Sequence, residues 1–200
     1  MRIANRIDYQ IIADLIESGS SVLDLGCGNG RLLEILIKEK NVQGVGIEKD
    51  HSMVKKSLEK GIPVIQANLD GGLSEYPDKS FDFVVLSLTL QALKKPDLVI
   101  SEMLRIGKKA IVSFPNFGHF LLRYSILFKG KMPKSKFLPF EWYNTPNIHF
   151  CSINDFKEFC KANKIKIVKK IFLKNFNKII KEFLPNIFAS IGIFVLETEN

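Results

Sequence analysis

Two hundred residues, 46% of them apolar and 25% charged, suffice for one domain (1–200) in which a central sheet is covered by helices on both faces. No basic stretch leads into an apolar segment at the start, and the longest uncharged run, the fourteen residues Phe183 to Leu196, is broken by Pro185 and Gly192. That is too short and too interrupted to span a bilayer, so a cytoplasmic protein with no membrane partner is expected and the run is read as core. Cys27, Cys151 and Cys160 form no C-x-x-C pair, which argues against a disulfide framework or a metal site.

The net charge of +8 is unevenly placed: residues 1–114 carry 15 Lys+Arg against 15 Asp+Glu, and residues 115–200 carry 14 against 6. A clustered positive field attracts an acidic partner, an anionic substrate or nucleic acid. Because 24 of the 29 cations are lysines in a chain rich in Ile, Asn and Phe, the plainer reading is a solvated lysine surface.

In chain order, the first twenty residues, with Arg2, Arg6, Asp8, Asp14 and Glu17 among Ile and Leu, read as an amphipathic helix. Ser21 to Leu25 is a strand ending in a glycine loop, and Arg31 to Lys40 is a helix. Val42 to Glu48 is a strand, Ser52 to Lys60 a helix, and Ile62 to Ala67 a strand. Phe81 to Leu88 is apolar enough for a strand buried on both faces. A helix starts at Pro96 and runs to about Arg105, and Lys109 to Phe114 is a fifth strand. Such alternation predicts an α/β, doubly wound, mostly parallel sheet with right-handed crossovers. From about 115 to 150 periodicity fails, yet nine aromatic residues remain, so this stretch reads as an ordered cover over the sheet's carboxyl edge. Asn154 to Asn163 is then a helix, with strands at Ile165 to Leu173 and Ile191 to Glu197.

Gly26-Cys27-Gly28-Asn29-Gly30, between a strand and a helix, lets backbone approach a ligand closely. A dinucleotide loop needs a further glycine where this chain has Arg31, which disfavours NAD. Asp24 stands at the strand end, suited to an amino group, and Glu48 ends the next strand, 18 residues after Gly30, suited to ribose hydroxyls. His119 and His149 lie in the cover; each is a weak catalytic candidate as a general base, or a hydrogen-bonding prop. With no Asp or Cys partner visible for either, the prop reading is preferred. Trp142 and Tyr143 read either as interface anchors or as core packing.

The series V-L-D-L-G-C-G-N-G, G-I-E and F-D-F-V-V-L-S, the last ending at Ser87, resembles the signatures of class I methyltransferases dependent on S-adenosylmethionine (SAM). The resemblance implies a Rossmann-like, seven-stranded sheet whose antiparallel last strand Ile191 to Glu197 would supply. V-I-Q-A-N-L-D-G-G-L, S-L-T-L-Q-A-L, E-M-L-R-I-G, F-P-N-F-G-H, G-K-M-P and W-Y-N-T-P-N-I-H-F-C further resemble the methionine-biosynthesis MetW family, from about Arg6 to Leu196. That family implies a methyltransferase-like protein holding S-adenosyl-L-methionine or S-adenosyl-L-homocysteine and working beside homoserine O-acyltransferase. Carried onto this chain, Asp24, Gly26, Gly28 and Gly30 would face the methionine end, Glu48 the ribose, and Asn68 with Leu69 the adenine edge, with Cys27 and Ser87 as further cofactor-binding candidates. Asn68 departs from the Asp usual there. The rival readings are a SAM-dependent enzyme acting on a small acceptor and, ranked last, an RNA methyltransferase or RNA-binding domain, for which no aromatic RNP-type strand is present. No G-x-S-x-G elbow is present, which argues against the chain being the acyltransferase.

Overall fold

The computed structural model describes residues 7–135, 137–174 and 178–199; Arg2 and Arg6 of the expected first helix lie outside them. α1 (Ile7–Leu15) precedes β1 (Ser21–Leu25), α2 (Arg31–Lys40), β2 (Gln43–Glu48), α3 (His51–Leu58) and β3 (Val64–Gln66). β4 (Phe81–Ser87), α4 (Pro96–Ile106) and β5 (Gly107–Pro115) follow. The rest comprises α5 (Phe120–Lys129), α6 (Ile153–Ala162), β6 (Ile165–Lys174), β7 (Lys178–Ile180), the single turn α7 (Pro185–Phe188) and β8 (Ile191–Thr198).

The sheet order is β3-β2-β1-β4-β5-β8-β6-β7. The pairs from β3 to β5 are parallel, and β8 runs antiparallel between β5 and β6. The doubly wound fold with a reversed last strand is therefore as expected, with eight strands in place of seven. The addition is β7, a three-residue edge strand antiparallel to β6, too short to leave a periodic signal.

Alternate residues of each central strand feed two cores. Leu23, Val84, Leu86, Val112 and Phe114 pack with Met103 of α4 and Phe156 of α6 on one face. Val22, Val85, Ile111 and Ile193 pack with Ile12 of α1 and Leu33 and Leu36 of α2 on the other. Side chains alternate across a strand, so a sheet covered on both sides needs apolar residues at successive positions, which is why β4 is apolar from Phe83 to Leu86. The rings of Phe114 and Phe194 lie parallel with centroids 5.6 Å apart, and Phe156 sits 4.8 Å from both. Truncating any of these buried rings to Ala costs about 3–5 kcal/mol.

Two expectations need correction. Phe183 to Leu196 is core only from Ala189 onward, because Phe183, Leu184 and Phe188 are exposed. The stretch 115–150 contains the ten-residue helix α5, which has Leu122 and Ile126 opposite Phe120, Tyr124 and Leu127, so no polar face marks a helical period.

Candidate functional site

The glycine loop sits at the carboxyl ends of β1 and β2, where the crossovers of an open parallel sheet leave a crevice. It is pinned from several sides. The Gly26 and Cys27 N–H groups both donate to the Ile47 carbonyl, at 2.8 and 3.1 Å. Ser57 of α3, fully buried, donates its hydroxyl to the Gly28 carbonyl at 3.0 Å, and Lys60 Nζ donates to the Asn29 carbonyl at 2.7 Å. Glu48 closes the ring: its Oε2 accepts the Gly28 N–H at 2.9 Å, and its Oε1 accepts those of Lys49 and Asp50 at 2.8 and 2.9 Å.

The three loop glycines all have positive φ but serve different ends. A Cβ on Gly26 would stand 2.7 Å from Thr89 Oγ1, and one on Gly30 would stand 3.0 Å from Ser57 Oγ. Those two glycines exist to let neighbouring segments pack. A Cβ on Gly28 would meet nothing within 4 Å, so this residue opens onto free space.

Asp24 is 2% exposed at the end of β1. Asp24 and Glu48 together raise the neighbouring Cys27 thiol, which burial, the largest influence, already disfavours as thiolate, to about 12. Cys27 is therefore a neutral packing group, not a nucleophile. It abuts Gly46, where an added Cβ would fall 2.4 Å from its sulfur. The local field is negative, which suits an ammonium and hydroxyl groups and repels a pyrophosphate. Arg31, at the position of the missing glycine, turns away to pair with Glu34 at 2.9 Å.

Ser87, half-buried at the end of β4, lies within 3.4 Å of the Ser113 hydroxyl, and its carbonyl accepts from Thr89 Oγ1 at 3.1 Å. Asn68 is exposed beyond β3 and starts the short turn Leu69–Gly71 by accepting the Asp70 N–H at 3.1 Å; Leu69 beside it is buried. Asp70 in turn accepts the Lys94 and Lys95 N–H groups, tying this turn to the start of α4.

The two histidines part company. His119, 3% exposed, caps α5 by accepting the Leu121 N–H on Nδ1 at 3.2 Å and packs against Phe120 and Phe137. Burial and then the nearby Lys174 hold its pKa below the ordinary histidine value. His149 is exposed, and its backbone N–H, with that of Ile148, donates to the Gln91 carbonyl on the turn after β4. That pair of bonds latches the cover to the carboxyl edge of the sheet.

Sequence reasoning missed Ser57, Lys60, Thr89, Gln91 and Asn116. Asn116, wholly buried, donates Nδ2 to the Asn186 and Ala189 carbonyls and accepts the Gly118 and Ile153 N–H groups on Oδ1. The F-P-N-F-G-H stretch thus has an architectural task, and only its place just after a strand could have hinted at it. Trp142 and Tyr143 are 74% and 69% exposed, so they are not core; their rings meet edge to face at 5.6 Å. Beneath α5 lies a second, apolar cavity of about 1020 Å³, lined by residues such as Leu122, Ile126, Met132 and Phe150 and by no residue of the glycine loop.

Among the described residues there is no group of three or more His, Cys, Asp or Glu able to hold a metal, and no helix is long and apolar enough to cross a membrane.

Residues 6–196 match the family model "Methionine biosynthesis protein MetW". The chain is 34% identical over 205 residues to a bifunctional methionine biosynthesis protein MetXA/MetW of Rhodopirellula baltica, covering 97% of this chain and 33% of that one. A phosphatidylethanolamine N-methyltransferase of Cereibacter sphaeroides is 30% identical over 97 residues, 46% of this chain and 47% of that one. The chain thus spans a third to about half of these two relatives. Among solved structures, a SAM-dependent methyltransferase from Archaeoglobus fulgidus superposes with a TM-score of 0.71 at 17% identity, over 96% of this chain and 92% of that one. One from Thermotoga maritima gives 0.67 at 18% identity, over 98% and 89%.

Proposed function

Since the chain belongs to the methionine biosynthesis protein MetW family, we propose that it binds SAM or S-adenosylhomocysteine at the glycine loop and acts in methionine synthesis as a partner of homoserine O-acyltransferase. The open space over Gly28, flanked by the carboxylates of Asp24 and Glu48, carries the ligand part of this reading. Asp24 would meet the ammonium of the methionine moiety, Gly28 would admit its backbone-hugging approach, and Glu48 would accept from the ribose. An ionised carboxylate offers about four acceptor positions, and three on Glu48 are taken by backbone N–H groups. Glu48 therefore has about one position for a hydroxyl, on Oε2, unless the loop releases Gly28. Asn68, whose Oδ1 already caps its own turn, would contribute to the adenine edge chiefly through its amide N–H.

When bound, SAM supplies an electrophilic methyl group; S-adenosylhomocysteine supplies none. No buried histidine is left to serve as a base, since His119 is spent on a helix cap and His149 stands in solvent. The partner role draws its support from the Rhodopirellula relative, in which a domain like this one is joined to MetXA, here taken as the acylating half. In the cytoplasm, the expected compartment, both proteins would share the methionine precursor.

Calorimetry with SAM and S-adenosylhomocysteine, and acyl-transfer assays on homoserine with and without the purified chain, test the two parts. Micromolar binding of both nucleosides and a changed acylation rate are expected. Absence of binding removes the cofactor, and an unchanged acyltransferase together with methyl transfer to a small acceptor makes the enzymatic reading the better one.

A further inference from the structure

α5 carries an apolar stripe that faces outward. Phe120, Leu121, Tyr124, Leu127 and Phe128 follow the spacing of a single helical face, and they are 42, 54, 50, 75 and 70% exposed. Leu122 is the helix's one buried residue, and its inner side overlooks the apolar cavity. The outward rings pack on one another: Tyr124 and Phe128 stand 5.0 Å apart, and Phe120 reaches Phe188 at 6.1 Å, which extends the stripe onto α7. Monomers seldom leave so much contiguous apolar surface in water without a partner for it.

The charges around the stripe say what kind of partner fits. Among the described residues from Pro115 to Phe140 there are four Lys or Arg and no Asp or Glu, with Lys134 paired to Glu141 just beyond. Lys129 lies over the Tyr124 ring at 5.7 Å, beside the stripe. A second copy brought face to face would oppose these cations to their own kind. An interfacial membrane helix needs a polar face lined with lysines. Here Arg123 is committed to the Gly118 carbonyl at 2.6 Å, and on the opposite side Leu122 is buried while Ile126, 56% exposed, lines the apolar cavity. The remaining fit is a protein groove, apolar inside and acidic at its rim, of the kind that accepts anchors at i, i+3 or i+4, and i+7 of one helix.

We propose that the α5 stripe is the docking surface for homoserine O-acyltransferase, inserting Tyr124, Leu127 and Phe128 into an acid-rimmed apolar groove. This rests on the partnership argued above and adds to it the surface and its chemistry. α5 follows directly from β5 and the Asn116 stitch, so a partner seated there lies against the cover.

The test measures binding of the purified full chain to the acyltransferase of the same organism by surface plasmon resonance, comparing wild type with Leu127→Asp/Phe128→Asp and with Trp142→Ala/Tyr143→Ala. Thermal unfolding and SAM titration, both expected to stay near wild type, verify that the highly exposed positions 127 and 128 tolerate the change. The stripe variant should lose about 30-fold or more in affinity, and wild-type binding should weaken with added salt. If that variant binds as wild type does while Trp142→Ala/Tyr143→Ala is impaired, the stripe proposal is overturned and the partnership stands. If wild type fails to bind the acyltransferase, both fall. Loss of an anionic-vesicle interaction, or of a dimer in sedimentation, in place of acyltransferase binding would assign the stripe to lipid or to self-association and overturn the proposal.

Discussion

Gly28→Ala separates ligand space from structural space within one loop. Gly28 has φ +56° with nothing within 4 Å of an added Cβ, whereas Gly26 has φ +71° and would drive its Cβ to 2.7 Å from Thr89. A non-glycine residue in the left-handed region costs about 1–2 kcal/mol. For Gly28→Ala that is the whole structural penalty, and in a chain of this length it lowers Tm by about 2–8 °C. Gly26→Ala adds crowding of about 1–3 kcal/mol, for a total of about 2–5 kcal/mol. Thermal unfolding should therefore rank Gly28→Ala as the milder change. Calorimetry with S-adenosylhomocysteine should nevertheless show Gly28→Ala losing about tenfold or more in affinity, because its methyl stands where the ligand must come close. If Gly28→Ala binds within twofold of wild type, the free space above it is not the ligand's and the assignment of the loop fails.

Glu48→Gln keeps one acceptor oxygen but turns an amide N–H toward backbone donors, so binding should weaken by about 1–3 kcal/mol with some loss of stability; unchanged calorimetry would remove Glu48 from the site. Asn116→Ala leaves buried groups of three segments unpaired and should cost about 2–4 kcal/mol, read by urea unfolding, with little change at the glycine loop. His119 has a folded pKa below its unfolded value, so its cap is fully stabilising above about pH 6.5 and weakens as pH falls toward the folded pKa. Amide exchange in α5 should accelerate across that window in wild type and lose this dependence in His119→Asn. Asp82 is held down to about 2 by Lys108 and by the N–H and hydroxyl of Ser21. Its contribution should persist above the ordinary carboxylate pKa and disappear as pH falls through about 2, a loss that Asp82→Asn should not show in acid unfolding.

The sheet was legible because its strands are buried on both faces and helices such as α4 begin at clear signals like Pro96. Asp24, Gly28 and Glu48 were legible because adjacent strand ends bring them together at short sequence separation. α5 was not, since apolar residues lie on opposite sides of it and leave no polar face to mark its period. Nor were Ser57 and Thr89, whose relation to the loop depends on how α3 and the turn after β4 dock. No local pattern marks a serine that will hold a carbonyl 29 residues away.

The place of β8 bears on how the chain is made. β5, residues 107–115, hydrogen-bonds along one side only to β8, residues 191–198, which also carries β6 on its far side. During vectorial synthesis the parallel half of the sheet can assemble on the ribosome, but β5 then shows a bare, strongly apolar edge until the final strand clears the exit tunnel. For that interval the nascent protein is two unjoined pieces, and its hazard is another chain's strand arriving first. Late translation pauses or chaperone depletion should therefore reduce soluble yield far more than equal delays before β5 is made.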